Sequence, residues 1–68
     1  MIHLKGIDPD SKAVVHIEYD YQSSEGRAIY YSFCARTSYG DLLEVRGHVS
    51  STELLDLFEK YDVKLGES

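Results

Sequence analysis

The chain has 68 residues, with twelve acidic side chains against seven basic ones, a formal charge of −5 and a single cysteine, Cys34. This length admits one domain over residues 1–68, and a lone cysteine excludes an internal disulfide. The acidic balance disfavours direct nucleic-acid binding and anionic membranes, since both rest on clustered Lys and Arg, and no apolar run nears the roughly 20 residues of a bilayer span.

The opening Met1-Ile2-His3-Leu4-Lys5 has neither a basic n-region nor a long apolar stretch, so no signal peptide is expected. An unpaired cysteine fits a reducing compartment, and a soluble, cytoplasmic chain is the expectation. Ile2 and Leu4 alternate with His3 and Lys5, which predicts a short first strand over about residues 2–6. Asp8-Pro9-Asp10-Ser11 reads as a tight turn, with proline holding φ at its second position.

Alternation is cleaner over about residues 13–21, where Val15, Ile17, Tyr19 and Tyr21 oppose Val14, His16, Glu18 and Asp20. Gln22-Ser23-Ser24-Glu25-Gly26 reads as a polar loop. A third strand is predicted over about residues 27–37, with Ile29, Tyr31, Phe33 and Ala35 on the apolar side. After the turn at Ser38-Tyr39-Gly40-Asp41, a fourth strand over about residues 42–49 places Leu43, Val45, Gly47 and Val49 on that same side.

The period changes at Ser50. Leu54, Leu57, Phe58 and Tyr61 fall at i, i+3, i+4 and i+7 and predict a helix over about residues 51–61. Ser50 with Glu53 forms a capping box, Val49 with Leu54 a hydrophobic staple, and Gly66 closes the tail beyond the helix. The fold class is therefore α+β: an antiparallel β-meander of three to four strands packed on one C-terminal helix.

Parity restricts the pairings, because a one-residue slip turns an apolar face to solvent. It favours Ile17 opposite Tyr31, Val15 opposite Phe33, Ala35 opposite Val45 and Phe33 opposite Gly47. On the other face the same registers pair Arg36 with Glu44, set Tyr30 beside Glu18 and Cys34 beside Val14, and align His16, Ser32 and His48 in one row, which His3 extends if the first strand pairs beside the second. The fourth strand becomes an exposed edge, which offers a route to a homodimer.

The row invites two chemistries, zinc held by His3, His16 and His48, or Ser32 as a nucleophile with a histidine base. Both are weak. His16 and His48 would stand two strand spacings apart, about 9–10 Å between backbones, and the chain shows no G-x-S-x-G, phosphate loop or C-x-x-C. No catalytic residue, metal or cofactor is expected, and solvated sheet side chains are the simpler reading.

Six tyrosines are the stronger feature, because tyrosine buries a large area while keeping one end wet. Tyr30 and Tyr39 have no evident core role. The candidate binding surface joins Tyr30, Arg36, Tyr39, Glu44 and Arg46 to the helix carboxylates Glu53, Asp56 and Glu59. Those carboxylates equally fit a solvated helix face, with acids favoured near a helix N-terminus.

The strand run leading into Ser51-Thr52-Glu53-Leu54-Leu55-Asp56-Leu57-Phe58 resembles a segment of a family of small phage-encoded inhibitors of type I CRISPR systems. The likeness covers roughly the last forty residues, and most of its motif is a capping box. It implies a non-enzymatic protein in the host cytoplasm that blocks a nucleoprotein complex by binding it, and it carries no interface residue onto this chain. The expected function is a small acidic protein-interaction module, with a metal-binding or hydrolytic protein and a homodimeric accessory domain as alternatives.

Overall fold

Alternating apolar residues and a capped helical stripe become one sheet and one helix in a computed structural model that describes residues 1–63. The elements are β1 (Ile2–Ile7), β2 (Val14–Glu25), β3 (Ala28–Thr37), β4 (Leu42–Ser50) and α1 (Ser51–Lys60). All neighbouring strands are antiparallel, in the order β1-β2-β3-β4, which places β1 beside β2. The architecture is thus an α+β meander backed by one C-terminal helix, and none of the described helices is long and apolar enough to cross a membrane.

The core lies between the sheet and α1. Val15 and Ile17 from β2, Phe33 and Ala35 from β3, and Val49 from β4 meet Leu54, Leu57, Phe58 and Tyr61. Each large side chain buried this way contributes on the order of 1.5–3 kcal/mol relative to exposure. Tyr19 joins the edge of this cluster, with its ring centroid 5.2 Å from Phe58 and 6.0 Å from Tyr31 in edge-to-face arrangements.

Both ends of α1 are fixed by local chemistry. Ser50 takes an extended backbone, and its hydroxyl accepts the Glu53 N–H at 3.2 Å, as a capping residue should. Val49 and Leu54, the expected staple, are both in the core. At the other end the Asp62 N–H donates to the Glu59 carbonyl and the Val63 N–H to the Phe58 carbonyl, with Asp62 at φ +51. These are the two bonds of a Schellman turn, with aspartate where glycine is usual. The expected closure at Gly66 lies outside the described residues.

That turn carries the chain onto β1, where the Ile7 N–H donates to the Tyr61 carbonyl at 2.6 Å. Gly6 permits the approach, since a Cβ there would lie 2.5 Å from the Tyr61 carbonyl oxygen. The Asp8–Ser11 turn forms as read: Asp8 accepts from the Asp10 N–H and the Ser11 hydroxyl, at 3.1 and 2.9 Å. The first of those bonds, with the second behind it, holds the Asp8 carboxyl below the ordinary carboxylate range.

Two expectations about strand pairing are overturned. Residues 22–25 are not a loop: β2 runs on to Glu25, bulges between Tyr21 and Ser23, and turns through Gly26 and Arg27 into Ala28. Gly26 adopts φ +62, the kind of value a two-residue hairpin turn needs at its first position. Ile17 consequently faces Ala35, not Tyr31, and Val15 faces Thr37, not Phe33. The slip is even, so the apolar set still meets the helix.

The second change inverts part of β4. Tyr31 faces Val49, but beyond a bulge Phe33 faces Arg46, Cys34 faces Val45 and Ala35 faces Glu44. His48 sits in the bulge at φ +55, in the left-handed region. Its backbone N–H donates to Gln22 Oε1 at 2.6 Å, so the residues left unpaired by the two bulges are joined across β3. Val45, expected in the core, is 64% exposed, and Glu44 is turned toward the helix instead.

Candidate functional site

Val15 and Ile17 of β2 are buried under α1 and Tyr19 partly so, and the even residues define an open face: Val14, His16, Glu18 and Asp20. Register extends it outward. One row is His3–Glu18–Cys34–Val45 and the next is Lys5–His16–Arg36–Leu42, while Ile7 pairs with Val14 beyond them.

These rows replace the expected ones. His16 lies between Lys5 and Arg36, Ser32 faces Asp20, and His48 belongs to the bulge, so no row unites His16, Ser32 and His48. His3 Nδ1 is 3.3 Å from Glu18 Oε2 and has no histidine opposite it. No group of three or more His, Cys, Asp or Glu is placed to hold a metal among the described residues. Arg36 does not meet Glu44; its Nε lies 3.7 Å from Glu18 Oε1. Cys34 stands between Glu18 and Val45, not beside Val14, and Tyr30 lies between Ser23 and Ser50, away from Glu18.

The expected binding residues thus divide into separate groups. Tyr30 closes one end of the open face, stacked on His48 with ring centroids 3.8 Å apart and 11° between planes. Arg36 stands near the other end, one residue from the close of β3. Tyr39 is 92% exposed in the β3–β4 turn, the most accessible large hydrophobic side chain among the described residues.

Glu44, Arg46 and Glu53 instead bind the helix to β4. Glu44 Oε1 accepts from the Tyr61 hydroxyl at 2.7 Å and from Lys60 Nζ at 3.1 Å, while Glu44 Oε2 accepts from Arg46 Nη1 at 3.2 Å. Arg46 Nη2 also reaches Glu53 Oε2 at 3.2 Å. Burial alone would raise the Glu44 pKa, but hydrogen bonds from Tyr61, Lys60 and Arg46 outweigh it and hold the carboxyl below its ordinary value. Tyr61 moves the opposite way: burial and the adjacent Glu44 carboxylate both keep its hydroxyl protonated. Asp56 and Glu59 remain exposed on α1. The constellation is a strut between layers, with its polar groups already partnered.

Parity missed the surface that the structure leaves open. Leu42 and Val45 are 57% and 64% exposed on the open face, where they and Arg36 border a shallow depression of ≈390 Å³. Glu18, Ser32 and Cys34 complete its floor and near wall. The sequence signal for this is Gly47, an isolated glycine within the strand that falls in the bulge beside His48, the residue holding positive φ.

The sheet edges are less inviting than the sequence implied. β4 is interrupted by two register shifts, one either side of Phe33–Ala35, and on β1 the Ile7 N–H is already bonded to Tyr61. Bulges and covered donors are the usual means of preventing strand addition. Comparison with known protein families, curated proteins and solved structures returns no match to this chain.

Proposed function

We propose that this chain is a non-catalytic protein-binding module that acts through the open face of its sheet. One observation carries the reading: the register shifts of β4 leave Val45, expected in the core, exposed together with Leu42 on the open face beside a depression. Neighbouring exposed apolar side chains on a small domain mark interaction surfaces, and Arg36 and Tyr30 on the same face belong to the residue types enriched at interfaces. The depression is shallow, and among the described residues no side-chain hydrogen bond joins its Ser32 or Cys34 to a base, which supports recognition over chemistry. The resemblance of the Ser51–Phe58 segment to CRISPR inhibitors makes a host nucleoprotein complex the first partner to try.

The test is a differential capture from bacterial lysate, followed by interference assays with type I CRISPR complexes. Val45→Glu and Leu42→Glu abolish capture of a stoichiometric partner, whereas Asp56→Lys and Glu59→Lys on the exposed helix face retain it. The reverse pattern transfers the function to α1 and overturns the reading. Loss with all four variants, each folded by circular dichroism, overturns it as well.

A further inference from the structure

The net charge of −5 points to a basic partner, but charge is not spread evenly over the two faces. Around α1 lie Glu44, Glu53, Asp56, Glu59 and Asp62, offset by Arg46 and Lys60. On the open face the balance differs. Lys5, His16 and Arg36 occupy successive strands of one row, all exposed, and Leu42 follows on the fourth strand. The face's carboxylates stand in the adjoining rows and are partnered, Glu18 taking up part of the charge of Arg36. Glu18 lies 3.3 Å from His3 and 3.7 Å from Arg36, and Asp20 is 3.7 Å from the Met1 amino group. Lys5 makes no ion pair among the described residues.

We propose that the Lys5–His16–Arg36 row receives an acidic helix of a protein partner, with an apolar side chain of that helix seated beyond Arg36 between Leu42 and Val45. The inference rests on the open face being a protein-binding surface and adds the chemistry of the partner. The spacing selects a helix. Lys5 and Arg36 stand two strand spacings apart, about 9.6 Å, and Leu42 three, about 14.4 Å. Carboxylates at i and i+7 of a helix are separated by about 10.5 Å along its axis, with a residue at i+3 or i+4 between them on the same face. A leucine at i+11 falls about 16.5 Å along, near the Leu42–Val45 step. An extended segment fits less well, since its same-face side chains recur at about 6.8 Å and then about 13.6 Å. Attraction between exposed cations and such a helix is screened by salt, so the row governs orientation and salt sensitivity while the apolar contact governs dissociation.

The probe is a fluorescein-labelled, alanine-rich helical peptide with Glu at i, i+4 and i+7 and Leu at i+11. Its control carries Lys at the three Glu positions. Binding is read by anisotropy, and its location by ¹H–¹⁵N chemical-shift changes in the full chain. The Glu peptide is expected to perturb Lys5, His16, Arg36, Leu42 and Val45. Its affinity falls at least tenfold on Lys5→Glu or Arg36→Glu and several-fold between 50 and about 300 mM salt. If the Lys peptide binds the same residues equally well, the acidic preference is overturned while the open face stands as a protein-binding surface. If neither peptide perturbs that face, both the preference and the face are overturned. Concentration-dependent shifts of these resonances without peptide name a second copy as occupant and overturn the proposal, as does preferential binding of phosphatidylserine vesicles or an RNA oligonucleotide.

Discussion

The face under α1 and the face turned to solvent are made by the same four strands, yet they differ in what enforces their side chains. Under the helix every large residue is held by packing, and the polar atoms that reach the boundary are tied together by Glu44. On the open side Leu42 and Val45 are more than half exposed, and the row through His16 is set by strand register alone. His48 decides which residues each face receives from β4, because its bulge exchanges Val45 for Glu44. Burial therefore explains the stability of one face, while the other leaves apolar side chains in solvent, on which the proposed binding role rests.

The largest expected effect tests this contrast directly. Phe33→Ala empties a site 2% exposed at the centre of the core and is expected to cost about 3–5 kcal/mol. A domain this small has little more stability than that, so the variant is largely unfolded at 25 °C by circular dichroism. Val45→Ala, on the neighbouring strand, changes stability by no more than about 0.5 kcal/mol in urea unfolding. Equal losses at the two positions would mean that Val45 is buried and that the bulge at His48 is absent.

Next in size is Gly6→Ala. The new methyl group meets the Tyr61 carbonyl oxygen, a backbone atom with little freedom to retreat, and the bond from Ile7 to that oxygen is lost or stretched. Overpacking together with one lost hydrogen bond is expected to cost about 2–4 kcal/mol, read from the urea midpoint. Hydrogen exchange at Ile7 sharpens the attribution, since its amide should lose protection in the variant before the amides of β3 do.

Glu44→Gln probes the strut between the layers. Losing one charge-assisted partner for Lys60 and Arg46 is expected to cost about 1–2 kcal/mol at pH 7. Because the Glu44 pKa is lowered on folding, its contribution is fully present above the unfolded-state value. It is lost as pH falls through the folded-state value, that is, below about pH 4.5. The wild type should therefore lose more stability than Glu44→Gln when taken from pH 6 to pH 3. Parallel pH profiles for the two proteins would remove Glu44 from the acid response.

How much of this was readable in the sequence follows from the range of each interaction. The Ser50–Glu53 cap, the Asp8–Ser11 turn and the 54/57/58/61 stripe depend on residues within one or two turns, and all formed as read. The sequence left open whether β1 pairs beside β2, and the structure places it there. The pairing of β2 with β3 did not form as read, because alternation is unchanged by an even slip, and Ser23, Ser24 and Glu25 project beyond the helix where no core tests their pattern. For β4 the alternation pointed the wrong way, since Gly47 was read as the partner of Phe33, although an isolated glycine within a strand also signals a bulge and here falls in it beside His48. The candidate site inherited that error: Glu44 and Arg46 went to the strut, and Leu42, Lys5 and His16 went unnoticed as neighbours of Arg36.

The smallest expected effect concerns the turn that closes the covered face, and its sign is opposite to the others. Asp62 holds a left-handed backbone that favours glycine, and its carboxylate lies at the negative end of the helix dipole. Asp62→Gly relieves both costs but loosens the unfolded chain, for a net gain of about 0.5–1 kcal/mol. That corresponds to a rise in Tm of roughly 2–8 °C for a domain of this size. Asp62→Asn keeps a side chain that tolerates the left-handed region and removes only the charge, so it should fall between aspartate and glycine at low salt. At high salt the dipole contribution is screened, and asparagine should approach aspartate while glycine keeps most of its advantage. A lower Tm for Asp62→Gly would mean that the carboxylate makes a contact that the hydrogen bonds of the turn do not include. The strap from Tyr61 onto β1 would then rest on that contact as well as on the backbone geometry at Gly6.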